Sequence, residues 1–177
     1  MTDDLARDYV GDNPQDPLVA QLFEKIRSRG GPIGTMHRVL ALAPNIFEAT
    51  YNFAMTLRQN TKIGRDLNEL MILRTAQNEG GAYEFEAHRP MALGIGITEA
   101  QIDALSNWRN SDLFDTKQKA VLAYADALAD RKDVPLDIFE ALKAFLDIQE
   151  IAELTMICGF YVSAARLSAG FEMKPGT

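Results

Sequence analysis

A single cysteine, Cys158, stands in the 177 residues, which excludes an intramolecular disulfide and a CxxC redox pair. Histidine is almost as scarce, with only His37 and His88. Long apolar runs are missing too. The longest uncharged one, LTMICGFYVSAA from Leu154 to Ala165, falls far short of the roughly 20 residues that cross a bilayer. The opening MTDDLARDYVGDNPQDP is acidic and has no apolar segment, so no secretory signal is expected there. Basic charge is in deficit, and the formal net charge is −7. That argues against nucleic acid, whose phosphates need clustered Lys and Arg, and against an anionic membrane surface. No GxGxxG, P-loop or GxSxG pattern occurs, so nucleotide binding has no support. These absences leave a cytoplasmic protein with a small molecule as its expected partner.

What is present is an ordinary globular composition, 47% hydrophobic and 24% charged, sufficient for one buried core. Two segments are expected: an arm with one short helix over residues 1–34, and a helical domain over 35–177. The periodicity is helical almost throughout, from LVAQLFEKIRS to the last long segment, IQEIAELTMICGFYVSAARLSAGF. Asn45 is a plausible N-cap for NIFEATYNFAMTLRQN. The pair Gly80–Gly81 suits a helix C-terminus, and Thr98 three residues before Gln101 makes a capping-box pattern. No stretch alternates at period two for long. The fold class is all-α.

Two helices are apolar nearly all round, one containing LNELMILRTA and the other the final segment. Such helices belong at the centre of a bundle or in a subunit interface. The first of them carries Glu69, a carboxylate that would be costly among Leu67, Leu70, Met71, Ile72 and Leu73 unless paired. Arg74 and Arg166 are possible partners. Glu84 and His88 stand four apart, hence on one helical face, with Tyr83 and Phe85 beside them. A carboxylate next to an imidazole holds the ring's tautomer and raises its basicity, as a general acid–base pair requires. The same pattern also describes an ordinary surface pair. Glu69, Glu84, His88 and His37 would together make a thin metal-ligand set. Cys158, in an apolar helix, reads as a small buried hydrophobe rather than a nucleophile.

The run ELMILRTAQNEGGAYEFEAHRPMALGIGITEAQIDAL, with the ending EIAELTMICGFYVSAARLSAGF, resembles the carboxymuconolactone decarboxylase family and its alkylhydroperoxidase-D-like relatives. The likeness spans roughly residues 36–170. It implies an alkylhydroperoxidase-D-like helical bundle that assembles as a trimer or hexamer, with no cofactor. The peroxidase branch carries a glutamate, a CxxC and a histidine, which fall here at Glu69, at Gly81 and Glu84, and at His88; a further histidine of that branch falls at Tyr83. Both thiols are absent, so the dithiol peroxidase cycle cannot run. The resemblance then implies a lyase, decarboxylase or isomerase of a small carboxylated or lactone-like metabolite. In that reading His88 is the acid–base, Glu84 orients it, and Glu69 or Tyr83 donates to a substrate oxygen. Arg38, Arg74, Arg89 and Arg166 are the candidates for binding a substrate carboxylate. A ligand-binding or assembly protein without turnover is the alternative, and a metal-dependent lyase a third.

Overall fold

The computed structural model describes residues 9–130 and 133–176, so the first eight residues of the arm lie outside the described residues. Nine α-helices follow one another among the described residues: α1 Pro17–Ser28, α2 Thr35–Leu40, α3 Pro44–Gln59, α4 Arg65–Glu79, α5 Ala82–Gly94, α6 Glu99–Ala104, α7 Thr116–Ala129, α8 Leu136–Lys143 and α9 Ile148–Gly170. A 3-10 turn, Leu105–Asn110, extends α6. No strand is formed among the described residues.

The helix ends follow local chemistry. Gly80 closes α4 in the left-handed region at φ 68°, a conformation that costs glycine nothing. Thr98 and Gln101 form the capping box of α6, and Asp115 with Gln118 and Asp147 with Glu150 do the same for α7 and α9. The expected cap at Asn45 is displaced. Ala43 occupies the cap position and Pro44 opens α3, because proline's fixed φ and missing N–H suit the first helical residue. Pro90 lies inside α5.

Helix α4 is the hub of the bundle and packs on α5, α7 and α9. Leu70, Met71, Ile72, Leu73 and Ala76 are all fully or almost fully buried, as a helix apolar on every side demands. The main core gathers these with Leu122 and Ala125 of α7 and with Leu154, Ile157 and Tyr161 of α9. A second cluster sits at the N-terminal end: Val19, Leu22, Phe23 and Ile26 of α1 against Phe47 and Tyr51 of α3. Helix α3 serves both, since its Leu57 belongs to the main core. The described part of the arm lies on its own chain. The Val10 amide donates to the Arg38 carbonyl at 3.3 Å, and the Tyr9 hydroxyl to the Phe171 carbonyl at 3.2 Å.

Helix α9 is not enclosed on every side. Ile148, Ala152, Met156, Gly159 and Ser163 run along an exposed line. Between this line and α3 lies a groove bordered by Ala49, Phe53, Met156, Gly159 and Phe160.

Candidate acid–base site

Glu69 stands on α4 where its side chain is completely enclosed. Burying a carboxylate requires that both oxygens be satisfied, and they are. Arg65, one helical turn earlier, donates to Oε1 at 2.6 Å, and His88 Nδ1 lies 2.7 Å from Oε2. His88 is itself buried on α5. Its other nitrogen, Nε2, lies 3.3 Å from Nη2 of Arg58, in the last turn of α3. The Tyr161 ring meets the imidazole edge-on, with centroids 4.8 Å apart.

The tautomer follows from the partners. Arginine has only donors to offer, and a carboxylate only acceptors. Nε2 therefore accepts from Arg58, and Nδ1 carries the proton that it donates to Glu69. Burial pushes the His88 pKa below its ordinary value; the Glu69 carboxylate opposes that shift, and Arg58 and Arg65 add to it. The ring is neutral near pH 7. It has one lone pair, at Nε2, and a carboxylate placed to stabilise the imidazolium that would form on taking a proton.

The ends of α3 and α4 are tied together around this cluster. Arg65 Nη1 donates to the Arg58 carbonyl at 3.0 Å, and Asn68 Nδ2 to the Leu57 carbonyl at 2.8 Å. Burial raises the pKa of the enclosed Tyr161 phenol, and the Arg58 guanidinium opposes that shift.

The other expected site residues are placed differently. Glu84 is one turn from His88 and buried, but its Oε2 accepts from Ser168 Oγ of α9 at 3.0 Å, and its Oε1 has no partner. The carboxylate hydrogen-bonded to His88 is Glu69, and Glu84 is bonded to Ser168 instead. Tyr83 extends to the start of α2, where its hydroxyl accepts from the Met36 amide at 3.1 Å. His37 Nδ1 accepts from the Gly34 amide at 3.2 Å, and its ring packs on Phe47 and Tyr51. Burial, with a contribution from Arg58, lowers its pKa to about 4. Cys158 is buried, and burial raises its thiol pKa. Among the described residues no three His, Cys, Asp or Glu side chains come close enough to share a metal ion, so the set Glu69, Glu84, His88 and His37 does not converge.

The four arginines expected to bind a carboxylate are all engaged elsewhere. Arg38 pairs with Asp12, Arg74 with Asp126 at 2.6 Å, Arg89 with Glu99 and Asp103, and Arg166 with Glu79. Arg58, Arg65, Tyr161 and Ser168 were not expected in these roles. Arg65 and Glu69 do stand four apart, a signal the sequence carried.

Position 81 explains how a glutamate fits where the resemblance places the second cysteine. A Cβ on Gly81 would stand 2.7 Å from Glu84 Oε2 and 3.1 Å from Ala165 Cβ. A side chain at 81 therefore requires the end of the Glu84 side chain to turn aside from its present place.

Burial also raises the Glu84 pKa. In the unfolded chain its carboxyl ionises near the usual ~4.3. Its contribution to stability is therefore intact below that value and is lost as pH rises through the higher folded pKa. Glu84→Gln keeps the shape and removes the titration. The variant is expected to melt at or above wild type at alkaline pH, with the gap closing in acid; parallel curves of melting temperature against pH would refute this.

The chain matches the model of the carboxymuconolactone decarboxylase family over residues 44–127. An uncharacterized protein of Bacillus subtilis (strain 168), YdfG, is 27% identical over 112 residues, which span 62% of this chain and 76% of YdfG. ATU0492 of Agrobacterium tumefaciens, a protein of unknown function linked by name to the antioxidant defence protein AhpD, superposes with a TM-score of 0.73. It is 24% identical, and the match covers 78% of this chain and 95% of that one. A peroxidase-related protein from Silicibacter sp. TM1040 superposes with a TM-score of 0.80 at 17% identity, over 97% of this chain and 93% of its own. At these identities the two superpositions speak for the fold, an all-helical bundle that the three-dimensional neighbours share.

Proposed function

We propose that this chain, a member of the alkylhydroperoxidase-D-like superfamily, is a cofactor-free acid–base enzyme acting on a small carboxylated or lactone-like metabolite. The observation that carries the reading is the buried Glu69–His88 pair, with its single lone pair at Nε2. His88 Nε2 takes or returns the proton, Glu69 stabilises the resulting imidazolium, and Arg65 holds Glu69 in place. Arg58 and the Tyr161 hydroxyl supply donors beside the base, where negative charge developing on a lactone or carboxylate oxygen would be stabilised. Tyr83 and Glu84, one bonded to α2 and the other to Ser168, shape the junction of α4 and α5 instead of touching the reacting atoms. Thiol peroxidase chemistry is no part of this reading, because positions 81 and 84 hold glycine and glutamate.

The test is turnover of a panel of lactone acids by the full chain in deuterated water. Carbon dioxide release identifies a decarboxylase, and solvent deuterium at a product carbon without it identifies an isomerase. Neither from any member would favour ligand binding without turnover. One observation speaks for that second reading: the lone pair of His88 is already engaged by Arg58.

The homo-oligomer that the family resemblance implies belongs to the same proposal. The apolar line on α9 and the groove beside α3 offer a surface for a second copy. Light scattering is expected to give a mass of several chains, and a single-chain mass would remove this part.

A further inference from the structure

Among the arginines around the site, Arg58 is set apart by what it lacks. Arg65 has Glu69, and Arg38, Arg74, Arg89 and Arg166 each have an acidic partner. Arg58 forms no carboxylate pair among the described residues. Its guanidinium meets only neutral groups, the His88 imidazole at 3.3 Å and the Tyr161 phenol, and its Nε is buried with no hydrogen-bond partner. A guanidinium with an unsatisfied N–H and only neutral partners is a poor resting arrangement, since such donors gain most from a bidentate carboxylate. The backbone at Arg58 is pinned by Arg65 through the carbonyl. The Arg58 residue is only partly buried, although its Nε is enclosed.

We propose that Arg58 is the anion receptor of the site and that its contact with His88 is a resting contact, which a substrate carboxylate displaces. The incoming carboxylate takes the guanidinium fork and satisfies the buried Nε, and the Nε2 lone pair of His88 is released in the same event. The base is then masked until an anion is seated beside it. With Arg58 the one guanidinium at the site, among the described residues, that has no carboxylate partner, the site recognises a single carboxylate. That group serves as a handle: a carboxylate fixed by arginine is stabilised in the ground state, so the proton transfer falls on a neighbouring carbon and the anchored group is retained. This rests on the acid–base reading for the purpose of freeing His88, but the binding event itself does not need turnover.

The experiment is titration of the full chain with propionate, which has no reactive centre, followed by calorimetry and by imidazole ¹⁵N resonances. Wild type is expected to bind propionate saturably and to ignore propionamide. At saturation the His88 Nε2 resonance should move toward the position of a free pyridine-type nitrogen. Arg58→Gln should weaken propionate by about tenfold or more, the scale of a lost charge-assisted pair, and should show the shifted Nε2 resonance without ligand. Arg58→Lys, which keeps the charge and loses the fork, should fall between the two. Equal propionate affinity in wild type and Arg58→Gln, equal binding of propionamide, no saturable propionate binding by wild type, or an unmoved Nε2 resonance at saturation would each overturn the proposal. A protein that binds propionate through Arg58 yet turns over no lactone acid would remove the acid–base reading and leave the receptor standing.

Discussion

His88→Asn is expected to lower kcat on any substrate the wild type converts by about 10² to 10⁴, the range a positioned general acid–base contributes. Asparagine suits the comparison because its amide nitrogen falls near the position of Nδ1. It can still donate to Glu69, so the buried carboxylate keeps its partner while the base at Nε2 is gone. The loss should therefore appear in kcat of a protein that still folds, with a melting temperature lowered by the ring volume removed beside Tyr161. His37→Asn is the matched control. Its amide oxygen can accept from the Gly34 amide as His37 Nδ1 does, and the rate should stay within a few-fold of wild type. Equal rates for wild type and His88→Asn would remove His88 from the mechanism.

Glu69→Leu carries the largest expected cost in stability. The change removes the acceptor of both Arg65 and His88 and leaves a buried N–H and an unpaired guanidinium. Breaking a buried pair from one side costs roughly 3–5 kcal/mol, and the lower end applies because the Arg65 side chain is 37% exposed and can turn to water. For a chain of this length about 1 kcal/mol moves the melting temperature by about 2–4 °C, so a fall on the order of 10 °C is expected. The cost comes from stranded partners more than from a lost attraction. Glu69→Leu combined with Arg65→Leu should accordingly recover part of the loss, because replacing a buried pair by apolar groups is often neutral. Thermal unfolding of the single and double variants measures this, and a double variant less stable than Glu69→Leu would contradict it.

The fold was readable where local chemistry decides it. Gly80 ends α4, Thr98 and Gln101 cap α6, and the apolar circumference of α4 puts that helix at the centre. Asn45 was misplaced as a cap because the competing signal, Pro44 at the first helical position, acts through backbone geometry. At the site, Glu69 stood out as a charge inside an apolar helix and His88 as one of two histidines. Their pairing was not legible. The rule that residues four apart face one another joined His88 to Glu84, whereas the contact that forms spans 19 residues and depends on how α4 and α5 cross. Arg58 carried no signal at all. In TLRQN it looks like the solvated end of a helix, and only the approach of α3 to α5 gives it a role. The four arginines chosen for a carboxylate had acidic partners on other elements, which no local pattern displays.

The central claim is that His88 is a neutral imidazole, protonated at Nδ1 toward Glu69, with its lone pair at Nε2 inside the bundle. Multiple-bond ¹H–¹⁵N NMR of the imidazole at pH 7 tests it most directly. The account predicts a pyridine-type resonance at Nε2 and a protonated Nδ1, with the imidazole pKa below its ordinary value because the ring is buried. An imidazolium at pH 7, or a proton on Nε2 with Nδ1 bare, would contradict it.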